Sequence, residues 1–129
     1  MRENAIKILI VDDKKENLLS LQVILADRGY QFVEATSGKD ALRILLKNQD
    51  FAIILMDVQM PAMDGLEATR QIRKIFDRQP LIVAMTANAM AEDREACLNA
   101  GMDDYMSKPI NLERLLELLK SLFVTRSNT

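Results

Sequence analysis

The length, composition and charge of this chain exclude several classes of protein before any motif is considered. With 129 residues, 49% of them apolar, it is long enough for one domain with a buried core, and its formal net charge of −2 argues against direct binding to nucleic acid. It contains no histidine, which excludes Ser-His and Cys-His nucleophiles and leaves carboxylates, hydroxyls and lysine to do any chemistry.

Five short apolar runs predict five β-strands. They cover residues 7–11, 31–35, 52–56, 81–85 and 105–107. The first, third and fourth runs are almost continuously apolar, as in strands that are covered on both faces. The second run alternates polar and apolar residues, so we expect it at the edge of a sheet.

Segments with helical periodicity follow each of these runs, and their ends carry recognisable signals. The signals are Gly29 after the first helix, Ser37 as the cap of the second, Asp64 at the start of the third, Gly101 after the fourth and Asn111 as the cap of the fifth. The fourth segment, over about 89–100, has a thin apolar face. The fifth has a clear leucine stripe, and we expect a frayed tail at 125–129.

Alternating strands and helices predict an α/β protein with a doubly wound parallel sheet, the flavodoxin-like (βα)5 fold. If the second strand is at the edge beside the first, the strand order is 2-1-3-4-5. The switch point of that order lies between the first and third strands. In such sheets, ligands bind at the switch point, outside the carboxyl ends of the strands.

The carboxyl ends of four predicted strands carry groups suited to phosphoryl chemistry: Asp12 and Asp13, Asp57, Thr86 and Lys108. Each has a plain structural interpretation, as a turn residue, a strand former or a surface lysine. Three converging carboxylates, however, repel one another and raise each other's pKa unless a cation joins them. Their convergence therefore favours a Mg²⁺ site, and Asp57 is the candidate phosphoryl-accepting nucleophile.

Four sequence motifs follow one another along the chain. They are Ile-Leu-Ile-Val-Asp-Asp at 8–13, Met-Asp-Val-Gln-Met-Pro-Ala-Met-Asp-Gly at 56–65, Ala-Met-Thr-Ala at 84–87 and Gly-Met-Asp-Asp-Tyr-Met-Ser-Lys-Pro at 101–109. In this order they resemble the receiver domain of a two-component response regulator. Their amino-acid sequences are similar to those of receivers in hybrid sensor histidine kinases. The resemblance runs from Ile6 to about Phe123, which implies a single receiver domain over 1–129 with its core at about 6–123.

The resemblance implies a function in phosphorelay signal transduction. Asp57 would accept a phosphoryl group from a sensor histidine kinase or a histidine phosphotransfer protein. The metal cofactor would be Mg²⁺, bound by Asp12, Asp13, Asp57 and the backbone carbonyl of Gln59. Such a domain assists its own phosphorylation and dephosphorylation but is not a turnover enzyme in the usual sense.

The resemblance also implies how the signal leaves the site. Lys108 and Thr86 would contact the phosphoryl group, Thr86 and Tyr105 would form the switch, and the Lys108–Pro109 peptide would be cis. The face made by the fourth helix, fifth strand and fifth helix would then change for a downstream effector chain or domain. The resemblance also allows for a phosphorylation-dependent homodimer, in which the partner is a second copy of this chain.

Two other functions are compatible with this sheet order. A flavodoxin-like FMN carrier needs a Ser, Thr and Gly phosphate loop after the first strand, where this chain has Asp12-Asp13-Lys14-Lys15. An aspartate-based phosphohydrolase usually has a second acid two residues past its nucleophile, where this chain has Gln59. Turnover of a generic phosphate ester would distinguish the hydrolase from a stoichiometric acceptor.

The cysteine content and the N-terminus indicate where the protein works. Cys97 is the only cysteine, so no internal disulfide forms. The first residues lack the apolar stretch of a signal peptide, and no apolar run is long enough to span a membrane. We therefore expect a cytoplasmic protein.

Overall fold

The computed structural model describes residues 7–48, 50–76, 80–87, 91–108 and 110–127, and the side chains among them except those of residues 91, 92, 112 and 122–127. Strands and helices alternate along these segments, as the sequence predicts. The strands are β1 Lys7–Val11, β2 Gln31–Ala35, β3 Ile53–Asp57, β4 Leu81–Thr86 and β5 Asp104–Ser107. The helices are α1 Lys15–Asp27, α2 Gly38–Lys47, α3 Gly65–Ile75, α4 Ala91–Ala100 and α5 Leu112–Ser127.

The five strands form one parallel sheet in the order β2-β1-β3-β4-β5. This order confirms the flavodoxin-like fold and places the alternating strand β2 at the edge. β1 and β3 are neighbours, with Val11 opposite Met56. Their carboxyl ends therefore open on the same point of the sheet rim, which is the switch point.

Each face of the sheet carries its own apolar core, because successive strand residues point to opposite faces. On one face, Ile8 and Ile10 pack in a cluster with Leu25 of α1 and Leu119 of α5. The other cluster joins the strands to α2, α3 and α4 with a few loop residues, and includes Leu9, Val11, Leu45, Ile72 and Cys97. Helices on both faces explain why β1, β3 and β4 are almost continuously apolar.

The predicted helix signals are confirmed. The side-chain oxygens of Ser37, Asp64 and Asn111 each accept a hydrogen bond from the backbone amide three residues further on, at 3.0, 2.9 and 3.0 Å. Gly29 and Gly101 follow α1 and α4 with φ of 82° and 113°, a left-handed conformation that glycine adopts without strain.

One boundary differs from the sequence prediction, and one prediction lies outside the described residues. α5 continues through 125–127 to Ser127, where a frayed tail was expected, because extending an existing helix adds a hydrogen bond for each residue fixed. The cis conformation of the Lys108–Pro109 peptide concerns residue 109, which is outside the described residues. Among the helices that the structure describes, none combines the length and apolar content needed to cross a bilayer.

Gly65 is expected to tolerate a side chain poorly. A Cβ at this first residue of α3 would fall well inside contact distance of the Asp57 carbonyl oxygen and 2.8 Å from the Val58 Cα. At Gly38, the first residue of α2, the nearest atoms would be 3.1 Å away. We expect Gly65→Ala to lower the free energy of unfolding by about 3 kcal/mol and Gly38→Ala by about 1 kcal/mol.

The two variants form a matched pair, because both add one methyl group at the first position of a helix and change helix propensity alike. Urea unfolding monitored by circular dichroism measures the difference. Equal costs at the two positions would contradict the close approach of α3 to the Asp57 backbone.

Candidate functional site

Three carboxylates meet at the carboxyl ends of β1 and β3. Asp12 and Asp57 are almost fully buried, with 0% and 3% of their surface exposed, and Asp13 is half-buried. One oxygen from each lies within 4.8 Å of the other two. The structure thus brings together at the switch point the three acids that the sequence analysis selected.

A single ammonium group bridges two of these carboxylates. Lys108 follows β5, and its Nζ lies 3.2 Å from Asp12 Oδ2 and 3.1 Å from Asp57 Oδ1. Its backbone amide also donates to the carbonyl of Thr86 at 2.7 Å, which holds the end of β5 against the end of β4. One residue therefore joins the carboxyl ends of β1, β3, β4 and β5.

The orientation of Asp12 depends on a residue that the sequence analysis missed. Asp12 Oδ1 accepts a hydrogen bond from the Lys14 amide at 2.9 Å, and Oδ2 accepts one from the side-chain amide of Asn17 at 3.1 Å. Both oxygens of Asp12 are thereby engaged. The only available signal was the position of Asn17, a polar side chain in the first turn of α1, just past the acidic pair.

The pKa values of Asp57 and Lys108 reflect this crowding. Burial raises the pKa of Asp57; the hydrogen bond from Lys108 opposes that rise, and the charge of Asp12 adds to it. Burial lowers the pKa of Lys108, but the hydrogen bond and charge of Asp57, with the charge of Asp12, outweigh it and leave that pKa raised. One ammonium therefore offsets the acidic group only in part.

The acidic group has the chemistry of a site for a hard divalent cation. Within the described part of the chain, Asp13 Oδ1 is buried and has no hydrogen-bond partner. An oxygen in that state is costly unless a cation or an ordered water meets it. Carboxylate oxygens gathered without sulfur or imidazole suit Mg²⁺, which usually keeps part of its water shell.

The other residues selected from the sequence lie around the acidic group, but not all of them contact it. Thr86 is 4% exposed and ends β4, beside the carboxyl end of β3. Gln59 is exposed, and its backbone amide donates a hydrogen bond to Asp57 Oδ1 at 3.4 Å. Tyr105 is half-buried within β5, and the guanidinium carbon of Arg94 lies 5.2 Å from the centre of its ring.

Comparison with known proteins gives concordant results. Residues 8–120 match the response regulator receiver domain. The sensor histidine kinase GacS of Pseudomonas protegens is 40% identical to this chain over 123 residues. That match covers 92% of this chain but only 13% of GacS, so the chain corresponds to a small part of the relative.

Two solved structures share the fold. The receiver domain of the sensor histidine kinase PA1611 from Pseudomonas aeruginosa, with magnesium coordinated in its active site cleft, has a TM-score of 0.83 and 37% identity. The match covers 92% of this chain and 98% of the PA1611 receiver domain. The receiver domain of Saccharomyces cerevisiae Ssk1, solved with the histidine phosphotransfer protein Ypd1, has a TM-score of 0.87 and 30% identity, and covers 95% and 92% of the two chains.

Removing the charge of Asp57 is expected to stabilise the metal-free fold. A carboxyl group whose pKa rises on folding costs stability as the pH rises from its ordinary value of 3.8 through the raised value. At neutral pH, Asp57→Asn should therefore raise the free energy of unfolding by about 1 kcal/mol, since the amide keeps the shape without the charge. Urea unfolding in EDTA measures this change.

Asp50→Asn is the control, because the Asp50 carboxylate is 71% exposed where it pairs with Lys7. A change within about 0.5 kcal/mol is expected there. A lower free energy of unfolding for Asp57→Asn would instead mean that the ion pair with Lys108 stabilises the fold by more than burial of the carboxylate and repulsion by its acidic neighbours destabilise it.

Proposed function

This chain belongs to the family of response regulator receiver domains of two-component signalling, and from that premise we propose that Asp57 accepts a phosphoryl group from a phosphohistidine. One observation carries the choice of Asp57. Its hydrogen bonds from Lys108 and Gln59 both reach Oδ1. Among the described residues none donates to Oδ2, and we propose that this oxygen attacks phosphorus.

Asp12 is less suited to the same role. Lys14 and Asn17 between them engage both of its oxygens, and Lys108 adds a second bond to Oδ2. In the proposed transfer, a bond forms between Asp57 Oδ2 and phosphorus while the bond from phosphorus to the donor imidazole nitrogen breaks. The product is an acyl phosphate on Asp57.

We assign the binding of Mg²⁺ to Asp12, Asp13, Asp57 and the backbone carbonyl of Gln59. Asp13 Oδ1, which has no hydrogen-bond partner among the described residues, and the spacing of the three carboxylates support this assignment. When bound, the ion offsets negative charge on the phosphoryl oxygens, which is most of what such a transfer requires from a protein.

Lys108 and Thr86 complete the proposed reaction site. The ammonium group of Lys108 already contacts Asp57 Oδ1, so it is placed to meet a phosphoryl oxygen on the same carboxylate. Thr86 lies at the end of the adjacent strand, where its hydroxyl can donate to that group. We propose that this hydroxyl and Tyr105 then move together, and that the surface of α4, β5 and α5 changes as a result.

The phosphoryl donor must lie outside the 129 residues, since they contain no histidine. A sensor histidine kinase or a histidine phosphotransfer protein fits this need, and the receiver of Ssk1 was solved with a protein of the second kind. We propose that residues 6–123 act as one receiver domain, read by a downstream effector chain or domain or by a second copy bound after phosphorylation.

Gln59 distinguishes this proposal from the phosphohydrolase alternative. It occupies the position two residues past Asp57 where such hydrolases usually carry a second acid, so the chain lacks that general acid or base. Slow loss of the phosphoryl group is therefore expected rather than turnover. Membership of the receiver family likewise favours a phospho-acceptor over an FMN carrier.

Incubation with acetyl phosphate and Mg²⁺ is expected to add one phosphoryl group per chain. Intact-mass spectrometry detects the adduct, and borohydride trapping followed by peptide mapping locates it. Asp57→Asn should lose the adduct because the attacking oxygen is gone. Asp50→Asn, an exposed acid far from the rim, should behave as the original protein does. Phosphorylation of Asp57→Asn at the original rate would refute the assignment.

Asp13→Asn is expected to weaken Mg²⁺ binding by about tenfold or more, because it replaces a charged ligand by a neutral amide. Calorimetric titration of the unphosphorylated protein measures the affinity without any transfer step. Asp64→Asn is a suitable control: Asp64 lies outside the acidic group, and asparagine caps α3 as well as aspartate does. Unchanged affinity in an Asp12→Asn, Asp13→Asn double variant would exclude the proposed metal site.

A further inference from the structure

Arg73, near the end of α3, binds three separate parts of the chain. Its side chain is 15% exposed, and its nitrogens donate to the Gly101 carbonyl at 2.9 Å, the Pro80 carbonyl at 2.9 Å and Asp103 Oδ2 at 2.8 Å. These acceptors lie just after α4, just before β4 and just before β5. One half-buried guanidinium thus ties the carboxyl end of α4 to the sheet.

The end of α4 is built around this contact. The Gly101 amide donates to the Leu98 carbonyl and the Met102 amide to the Cys97 carbonyl, both at 3.1 Å, which is the hydrogen-bond pattern of a Schellman cap. Gly101 has φ of +113°, and a Cβ there would lie 2.8 Å from the Cγ of Arg73. The glycine therefore lets the backbone pass closely over the arginine stem.

Asp103 anchors the same region to a central strand. Its Oδ2, which pairs with Arg73, also accepts the Ile82 amide at 2.9 Å, and its own amide donates to the Ile82 carbonyl at 2.8 Å. Asp103 is thereby fixed to Ile82 of β4 by two hydrogen bonds, and its carboxylate also joins that strand to Arg73. Movement of this end requires breaking charged, partly buried hydrogen bonds.

The described part of the amino-terminal half of α4 is held differently. Residues 93–95 are all exposed, whereas the carboxyl-terminal half exposes Leu98 and Asn99 but buries Cys97 and Ala100, which are 2% and 6% exposed. Arg94 contacts the ring of Tyr105 from this half. A single cation–π contact at an exposed site contributes less to stability than a set of charged, partly buried hydrogen bonds such as those around Arg73.

We propose that Arg73 makes the carboxyl end of α4 a fixed pivot, so that switching swings the amino-terminal half of this helix and breaks the Arg94–Tyr105 contact. This inference rests on the proposed switch at Thr86 and Tyr105. A displacement at Thr86, which ends β4, reaches α4 at its amino end, while the other end is held. Because a helix of this length moves nearly as a rigid rod, the displacement becomes a rotation about Gly101.

Amide hydrogen exchange on the full chain tests the pivot directly, with beryllofluoride and Mg²⁺ as the phosphoryl mimic. We expect exchange rates at residues 93–96 and at Tyr105 to change by about fivefold or more, and those at 98–102 by less than about twofold. A change of equal size along the whole of α4, or one larger at its carboxyl end, would overturn the pivot.

Cys97 provides a second measurement, because its thiol is buried beside the proposed pivot and is the only thiol in the chain. Arg73→Gln should raise the rate at which a thiol reagent modifies Cys97 by about tenfold or more, since the charged hydrogen bonds are lost. Arg73→Lys keeps the charge without the forked donors and should give a smaller increase.

Arg70→Gln is the matched control on the same helix, since Arg70 is exposed and pairs only with Glu67 among the described residues. Equal thiol reactivity in Arg73→Gln and Arg70→Gln would overturn the role of Arg73. If Arg73→Gln does not fold, Arg73→Lys and the exchange pattern of the original protein carry the test. If the protein showed no exchange response to beryllofluoride and no acetyl phosphate adduct, both the proposed function and the pivot would be refuted. An exchange response of equal size along α4 would refute the pivot alone.

Discussion

The mutual repulsion of Asp12, Asp13 and Asp57 is the constraint on which the rest of this structure depends. Three carboxylates share a largely buried site, and the ammonium group of Lys108 bridges only two of them. Such an arrangement lowers the stability of the metal-free fold, so packing alone does not explain it. It makes sense as a site for a cation and then for a phosphoryl group, each of which changes the charge balance.

Lys108 connects this charge balance to the fold. Its side chain contacts acids at the ends of β1 and β3, while its amide holds the end of β4 through the Thr86 carbonyl. In the proposed mechanism, a phosphoryl group on Asp57 competes for the same ammonium. A local change in charge therefore acts at once on the strand that leads into α4.

α3 forms the rigid link between the two ends of this system. Its first residue, Gly65, packs against the backbone of Asp57, and its amide donates to the Val58 carbonyl at 2.9 Å. Near its other end, Arg73 holds Gly101 and Asp103. The proposed acceptor Asp57 and the proposed pivot of α4 are thus both fixed to one helix.

The sequence by itself determined the five strands, their order and most helix ends, because burial periodicity and local caps such as Ser37 and Asp64 depend on residues close together in the chain. It also selected the acids at the rim. It did not determine the end of α5, which continues to Ser127. Only the tertiary structure decided which atoms meet: Asn17 on Asp12, Lys108 on Asp57 Oδ1, and Arg73 on Asp103. The physical reason is that such hydrogen bonds need a donor and an acceptor from separate elements to come within about 3 Å of each other. That distance is set by how the elements pack, and no local sequence pattern encodes it.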